Sequence, residues 1–299
     1  MSDKPCLGPI AGATVLAPDF DATIAAYDRY LGYRAIATGR IEVEAAGAWG
    51  TPAMTGRRFA VTRPASGDAT WIRFVQGPRV PGYKAMTTHG WHSMEIVITD
   101  VEATPGHLQG SPFVHIGGPK EVGTSGFIRA AQFEGPCNEV LYLTRILKDP
   151  SRPYLPTAKS FIDRIFIMVL GSRSMTAARD FYTTHFDTKP NVDRPAVIGF
   201  FNRANDLPED TPMQICTVVL DGQCLIEIDN YPSVARERPR DPGALPPGVG
   251  MVSFAVDSLA KVKLPFIAPP RPIHGAPYDG RRVGTCLGSS GEYIELIES

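Results

Sequence analysis

The sequence repeats itself at a spacing of about half its length. The segment TWIRFVQGP at residues 70–78 returns as CLIEIDNYP at residues 224–232, and GPCNEVLYLTRI at 135–146 returns as SSGEYIELIES at 289–299. Two further pairs, ATIAAYDRYLG with MTAARDFYTTHF and ITDVEA with VDSLAK, keep similar offsets, between 153 and 158 residues. Each half also contains two similar quarter units. A repeat of this kind predicts a tandem of four related modules.

Length and charge narrow the class of protein. The 299 residues, 43% of them hydrophobic, are enough for two domains that each have a core. Lysine plus arginine (30) nearly balances aspartate plus glutamate (31), so the chain lacks the basic footprint of a nucleic-acid or membrane-surface protein. We therefore expect a small-molecule partner, no nucleic acid and no membrane, and a homodimer is left open.

Cysteine usage and the N-terminus indicate a cytoplasmic protein. The five cysteines are odd in number and show no CxxC spacing, which fits a reducing compartment. The start MSDKPCLGPI has no apolar signal core, and the longest apolar stretch, FIDRIFIMVL from Phe161, is too short and too charged to span a membrane.

Each unit is predicted to be a strand, a helix and about three further strands. In the first unit Phe20, Ile24, Tyr27 and Leu31 recur at helical spacing and Gly32 ends the helix. In the third unit Ser174 is the expected N-cap. The boundary between the halves falls at residues 148–159, where three prolines in mixed polarity read as a linker. Two domains are expected, at 1–147 and 160–299.

Four such units, with the run GEYIEL at 291–296 and a helix ending AAYDRYLGY at 25–33, resemble the vicinal oxygen chelate superfamily. This group includes glyoxalase I, bleomycin and fosfomycin resistance proteins and extradiol dioxygenases. The resemblance covers nearly the whole chain. It implies an α+β fold in which pairs of βαβββ modules form two open eight-stranded barrels, each around a cavity.

The resemblance also implies where a metal would be held. Family members that bind one use histidine or glutamine on a module's opening strand and glutamate on its last strand. In this sequence the opening-strand positions are predicted to be Gly12, Ser93, Arg164 and Met251, and the last-strand positions Arg73, Leu141, Glu227 and Glu295. Because the histidines are missing, we expect no metal and no other cofactor, with a divalent metal on shifted ligands as the alternative.

The two remaining glutamates suggest a different chemistry. In the predicted register Arg164, Glu227 and Glu295 all point into the second barrel. Two close carboxylates shift each other's pKa apart, so that one can hold a proton while the other accepts one. Arg164 would hold a carboxylate, phenolate or enolate, and Glu295 would be the base. The alternative is that Arg164 only neutralises two inherited glutamates.

Other residues are candidates for substrate binding. Tyr293 shares a strand face with Glu295, Arg73 could anchor an acid in the first barrel, and His92 adjoins an opening strand. His274 and Tyr278 lie in a Pro/Gly-rich loop, where the family often keeps a lid, although such a loop is more often a solvated turn. The substrate-binding candidates are Tyr293, Met251, Arg73, His92, His274 and Tyr278.

Three functions fit these patterns. The first is a metal-free enzyme that acts on a small aromatic or apolar acid by proton transfer, as a lyase, an isomerase or a ring-opening enzyme. The second is a non-catalytic protein that binds, and gives resistance to, an apolar compound. The third is a divergent metal-dependent extradiol dioxygenase or glyoxalase-like enzyme.

Overall fold

The computed structural model describes residues 4–122, 126–147, 152 and 154–299. Helices are few and short, because Gly and Pro interrupt the chain between strands. In the described part of the chain, no helix is long and apolar enough to cross a membrane.

The first two units have the predicted order of elements. Unit one contains β1 (Leu7–Ala17), α1 (Phe20–Ala26), β2 (Arg34–Arg40), α2 (Val43–Trp49), β3 (Arg58–Arg63) and β4 (Trp71–Gln76). Unit two contains β5 (Gly90–Ile98), α3 (Thr104–His107), β6 (Val114–Glu121), β7 (Ile128–Glu134) and β8 (Val140–Ile146). The first helix continues as a π turn at Tyr27–Leu31 and ends at Gly32, whose φ of 69° only glycine adopts easily.

The last two units repeat this order. Unit three contains β9 (Ile162–Ser172), α4 (Met175–His185), β10 (Lys189–Pro190), β11 (Arg194–Val197), α5 (Gly199–Ala204), β12 (Pro212–Leu220) and β13 (Cys224–Asn230). Unit four contains β14 (Gly248–Val256), β15 (Arg271–Pro272), β16 (Arg282–Leu287) and β17 (Tyr293–Glu298). Short 3-10 turns lie at Pro52–Met54 and Leu259–Lys261. Ser174 caps α4 as predicted, because its side chain accepts a hydrogen bond from the Ala177 amide.

The units pair differently from the sequence-based expectation. An eight-stranded sheet, the first sheet, joins units one and four in the order β15-β16-β17-β14-β1-β4-β3-β2. A nine-stranded path, the second sheet, joins units three and two in the order β10-β12-β13-β9-β5-β8-β7-β6, with β11 beside β12. Each sheet therefore takes one unit from each half, and the expected pairing of one with two and three with four is corrected.

The physical reason lies in the opening strands. β1 pairs antiparallel with β14, from Leu7 opposite Val256 to Leu16 opposite Gly248, and β5 pairs with β9 in the same way. All four opening strands offer an equivalent free edge, so the repeat alone does not determine which two meet. Residues 148–151 and 153 of the expected linker lie outside the described residues.

Within each half, the two units are joined by a tyrosine–glutamate hydrogen bond. The Tyr27 hydroxyl donates to Glu139 Oε1 at 2.6 Å, and the Tyr182 hydroxyl donates to Glu292 Oε1 at 3.1 Å. Both carboxyls are buried, and burial raises the pKa of each to about 7. One large apolar core fills the space between the sheets, with smaller clusters on their concave faces.

Candidate functional site

The concave face of the first sheet carries a buried ion pair. The parallel pairing of β1 with β4 sets Thr14 beside Arg73, and that of β14 with β17 sets Ser253 beside Glu295. Arg73 Nη2 lies 3.3 Å from Glu295 Oε2, and neither side chain is more than 1% exposed. Arg73 Nε and Nη2 also donate to Thr14 Oγ1 at 3.0 and 2.8 Å. The four residues form one closed network.

Two aromatic residues from outside the sheet, Trp49 and Tyr278, complete this network. Trp49 Nε1 of α2 and the Tyr278 hydroxyl donate to Glu295 Oε1 at 2.6 and 2.7 Å, while Ser253 donates to Oε2. The Arg73 guanidinium also donates to the Tyr278 oxygen and lies 4.4 Å from the centre of the Trp49 ring. A carboxylate offers about four lone-pair sites. Those of Glu295 are taken by Arg73 and the three neutral donors, so this carboxylate has no site free for a substrate.

The space left beside this network is small. A cavity of about 70 Å³ is lined by Trp49, Arg73, His274 and Tyr278 among others. Ligand sites usually have volumes of about 300–1,000 Å³. The first cavity, as we call this space, is therefore too small for an aromatic acid.

The second sheet has a larger opening on its concave face, which we call the second cavity. It has two adjoining lobes, of about 270 and 260 Å³, that share Val122, Arg194 and Glu227. The Glu95 lobe is also lined by Ile128, Arg152, Tyr154, Leu155, Phe166, Ile167, Asn191, Val192, Thr217, Leu225 and Glu95 itself. The Tyr142 lobe is also lined by Lys120, Glu121, Gln132, Pro195, Ala196, Val197, Ile198, Phe200, Ile215 and Tyr142 itself. Most of these side chains are apolar.

Two carboxylates face the Glu95 lobe from strands on either side of β9. Glu95 of β5 lies opposite Ile167, and Glu227 of β13 lies beside Val169. Glu95 is 7% exposed, and its Oε1 accepts a hydrogen bond from the Thr144 hydroxyl at 2.6 Å. The Glu227 side chain is 12% exposed, and its Oε2 lies 4.0 Å from Arg194 Nη2. Arg194 is half-exposed at the cavity mouth, with its charge available to a bound acid.

Burial raises the pKa of both carboxyls. Burial and the negative charge of Glu227 together raise the pKa of Glu95 to about 8, against the Thr144 hydrogen bond and the Arg194 cation. Burial also raises the pKa of Glu227, but the Arg194 cation opposes that rise. Near neutral pH Glu95 therefore holds a proton, while the Arg194 cation favours the ionised form of Glu227. A neutral acid beside a carboxylate is an arrangement used for acid–base chemistry.

The predicted catalytic cluster does not form. Glu227 lies in the second sheet and Glu295 in the first, because units three and four belong to different sheets. Arg164 of β9 donates from Nη2 to the carbonyl oxygens of Gly222 and Gln223, both at 2.7 Å, so it closes a turn and does not enter a cavity. The prediction that the three residues converge was wrong.

Five of the six substrate-binding candidates lie at the first sheet. Arg73, Tyr278, Met251 and Tyr293 all belong to the first sheet's concave side, where Arg240 donates to the Tyr293 hydroxyl. Exposed His274 lines the first cavity. These residues lie on the same side of the first sheet as Glu295, and none of them lines the second cavity.

His92 lies apart from both cavities. It is 1% exposed, and its Nε2 donates to the Thr88 carbonyl oxygen. Burial and the nearby Arg238 cation lower its pKa well below the ordinary value, so it stays neutral. We assign it a place in the core.

Sequence reasoning missed Glu95 and Arg194. Glu95 follows the expected position Ser93 by two residues on the same strand face, and the strand register places it beside Tyr142 of β8. The alternation of SMEIVI was the available signal. Arg194 lies on a four-residue strand that has no pattern of its own.

The residues present do not fit the family's metal site. In register, the four ligand positions are Thr14, Arg73, Ser253 and Glu295 in the first sheet and Glu95, Tyr142, Val169 and Glu227 in the second. The first set contains a guanidinium, and the second lacks imidazole and has a valine and a tyrosine at two of its four positions. Across the described ranges, no three His, Cys, Asp or Glu side chains could hold a metal ion. Elemental analysis of the purified protein tests the expected absence of a metal.

The comparisons with known proteins agree with this architecture. No family model matches the sequence, and no curated protein matches it either. Glyoxalase I from Zea mays is similar in structure, with a TM-score of 0.63 and 12% identity over 97% of this chain and 92% of that one. A candidate dioxygenase from Bacillus subtilis has a TM-score of 0.63 and 10% identity over 98% of this chain and 86% of that one. The chain thus has the fold of the vicinal oxygen chelate superfamily, in its four-unit form.

The raised pKa of Glu95 predicts a pH-dependent stability. Because the folded pKa, about 8, exceeds that of an unfolded glutamate, the folded chain binds more protons between these values and loses stability as pH rises through them. Glu95→Gln removes this loss. The Tm of the variant minus the Tm of the native chain should therefore increase by about 5 °C or more from mildly acidic to mildly alkaline pH. Calorimetry at both pH values measures the difference. Glu44→Gln, at an exposed position, is the control. If the Tm of Glu95→Gln changed with pH in the same way as the Tm of Glu44→Gln, the raised pKa of Glu95 would be contradicted.

Proposed function

We propose that the chain is an enzyme that transfers a proton on a small aromatic or apolar carboxylic acid, in a lyase, isomerase or ring-opening reaction within the second cavity. The observation that carries the proposal is the pair of buried carboxyls, Glu95 and Glu227, facing an apolar cavity with Arg194 at its mouth. Burial raises the pKa of Glu95 to about 8, which suits an acid, and the Arg194 cation favours the ionised form of Glu227, which suits a base.

The proposed chemistry assigns one role to each group. Arg194 binds the substrate carboxylate through charge-assisted hydrogen bonds. Ionised Glu227 removes a proton from a carbon next to a carbonyl, and the C–H electron pair moves into that carbonyl to give an enolate. Protonated Glu95 donates its proton to the enolate oxygen or to a departing group. Return of the Glu227 proton to a neighbouring carbon gives an isomer, and loss of the departing group gives a lyase product.

The apolar walls support the substrate class. Phe166, Ile167 and Leu225 line the Glu95 lobe, so a hydrocarbon or aromatic body gains free energy by leaving water there. They also keep water from the carboxyls, which strengthens the electrostatic interactions of a bound acid. A cytoplasmic location and a homodimer remain expectations of this proposal.

A panel of carboxylic acids that includes phenylpyruvate tests the proposal. In D2O the native chain should exchange carbon-bound protons of at least one acid for deuterium, faster than buffer, as followed by NMR. Acids that bind without any exchange would support the binding-protein alternative and contradict the enzyme. Activity that depends on added iron, zinc or manganese would instead support the metal-enzyme alternative.

Arg194→Met should raise KM for the exchanged acid by about 10- to 100-fold, because a charged hydrogen bond to the substrate is lost. The effect on kcat should be smaller, since Arg194 binds the acid but moves no proton. Arg129→Met is a matched control, because Arg129 is also half-exposed and pairs with Glu102 outside the cavity. An Arg194→Met enzyme with an unchanged KM would show that the acid binds elsewhere.

A further inference from the structure

The two lobes of the second cavity meet at one place. Both lobes are lined by Val122, Arg194 and Glu227, whereas Glu95 and Tyr142 each line one lobe only. Arg194 lies on β11 and Glu227 on β13, and both strands pair with β12, which brings the two side chains together. They therefore form a junction, next to the cation and the carboxylate, from which the cavity continues in two directions.

Both lobes offer accessible apolar walls to a ligand. Ile128 and Leu155 line the Glu95 lobe and are half-buried. Half-buried Ala196 and exposed Val197 line the Tyr142 lobe. The two lobes also have nearly the same volume, about 270 and 260 Å³. Each of them is thus suited to an apolar group of similar size.

The polar residues of the Tyr142 lobe do not change this character. The Tyr142 hydroxyl oxygen and Gln132 Oε1 are fully buried, so they present no polar atom to a ligand in the lobe. Lys120 and Glu121 are exposed, so their charges stay in water. A group that enters this lobe gains free energy mainly by removing apolar surface from water.

An acid held at the junction fills both lobes only if it branches. With its carboxylate at Arg194, an unbranched acid extends into one lobe and leaves the other to water. A branched acid places one apolar group in each lobe, and the free energy gained rises with the apolar area that is buried.

We propose that the substrate is a branched acid whose two apolar groups diverge close to the carboxylate, one entering the Glu95 lobe and the other the Tyr142 lobe. This inference rests on the proposed function for the position of the carboxylate at Arg194. It places the branch point beside Glu227, so the carbon that loses the proton is the carbon that carries the two groups.

Three acids test the inference on the native chain. The branched acid is 2-benzyl-3-phenylpropanoate, its unbranched isomer is 3-(4-benzylphenyl)propanoate, and 3-phenylpropanoate has a single ring. Calorimetric titration should give about 10- to 100-fold tighter binding of the branched acid than of 3-phenylpropanoate, because a second ring leaves water. The unbranched isomer contains the same atoms but extends in one direction only, so it should bind at least about 10-fold more weakly than the branched acid.

A side chain that fills one lobe provides the second test. Ala196 lines the Tyr142 lobe, so Ala196→Phe places a ring there. The affinity for the branched acid should fall to about that for 3-phenylpropanoate, which still has the Glu95 lobe. Ala37→Phe is the matched control, because Ala37 is also half-buried on a strand but lies in the first sheet. It should keep the preference.

Equal affinities for the branched acid and its unbranched isomer, a preference that survives Ala196→Phe, or no measurable binding of any of the three acids would each overturn the inference. The titration is independent of turnover. A preference for the branched acid without deuterium exchange on any acid would keep the inference on the ligand and overturn the enzyme, whereas exchange without the preference would do the reverse.

Discussion

Glu227→Gln is expected to lower kcat for deuterium exchange by about 100- to 10,000-fold, the usual contribution of a general base. Glutamine keeps the size of the side chain but cannot accept a proton near neutral pH. KM should change little, because Arg194 still binds the carboxylate. Initial rates by NMR on the acid that the native chain exchanges fastest provide the measurement.

Two other glutamates make this experiment discriminating. Glu139→Gln changes a fully buried carboxyl that accepts from Tyr27 and lies away from the second cavity, so its exchange rate should stay close to native. Glu295→Gln changes the first cavity. If Glu295→Gln abolished exchange while Glu227→Gln remained fully active, catalysis would belong to the first sheet and the proposal would be wrong.

Arg73→Met should give the largest loss of stability. It leaves Glu295, which is completely buried, without its cation, and breaking a buried pair in this way costs about 3–5 kcal/mol in the free energy of unfolding. For a chain of this size Tm should fall by about 10 °C. Chemical denaturation and calorimetry at neutral pH measure both quantities.

A surface ion pair provides the control for Arg73→Met. Arg58 Nη2 lies 2.7 Å from Asp21 Oδ1, but both side chains are well exposed. Arg58→Met should therefore cost at most about 1 kcal/mol. Adding Glu295→Met to Arg73→Met should recover part of the loss, because no unpaired charge then remains. An Arg73→Met chain as stable as Arg58→Met would rule out a stabilising role for the pair.

Local patterns predicted the strands and their faces. In YIELIE the alternation placed Tyr293, Glu295 and Ile297 on one side, and the structure puts Tyr293 and Ile297 in the concave cluster and Ile294 and Leu296 in the central core. Strand faces follow directly from a period of two residues. The cap at Ser174 was predictable for a similar reason, since it depends on a few neighbouring residues.

The site could be predicted only in part, because it depends on long-range pairing. The repeat shows that the units are equivalent but not which opening strands meet, so Glu227 and Glu295 were placed together although their strands lie in different sheets. The predicted register was wrong by two residues, so the opening-strand position was assigned to Ser93 and not to Glu95. Arg164 was predicted to enter a cavity. Its contacts with Gly222 and Gln223 join residues far apart in the sequence, so no local pattern indicates them.

The structure of the chain crystallised with 3-phenylpropanoate tests the central claim most directly. We predict electron density in the second cavity, with the ligand carboxylate within hydrogen-bonding distance of Arg194 and the carbon chain next to Glu227 and Glu95. Density for the acid at Arg73 and Tyr278 in an opened first cavity, with the second cavity holding only water, would contradict the account.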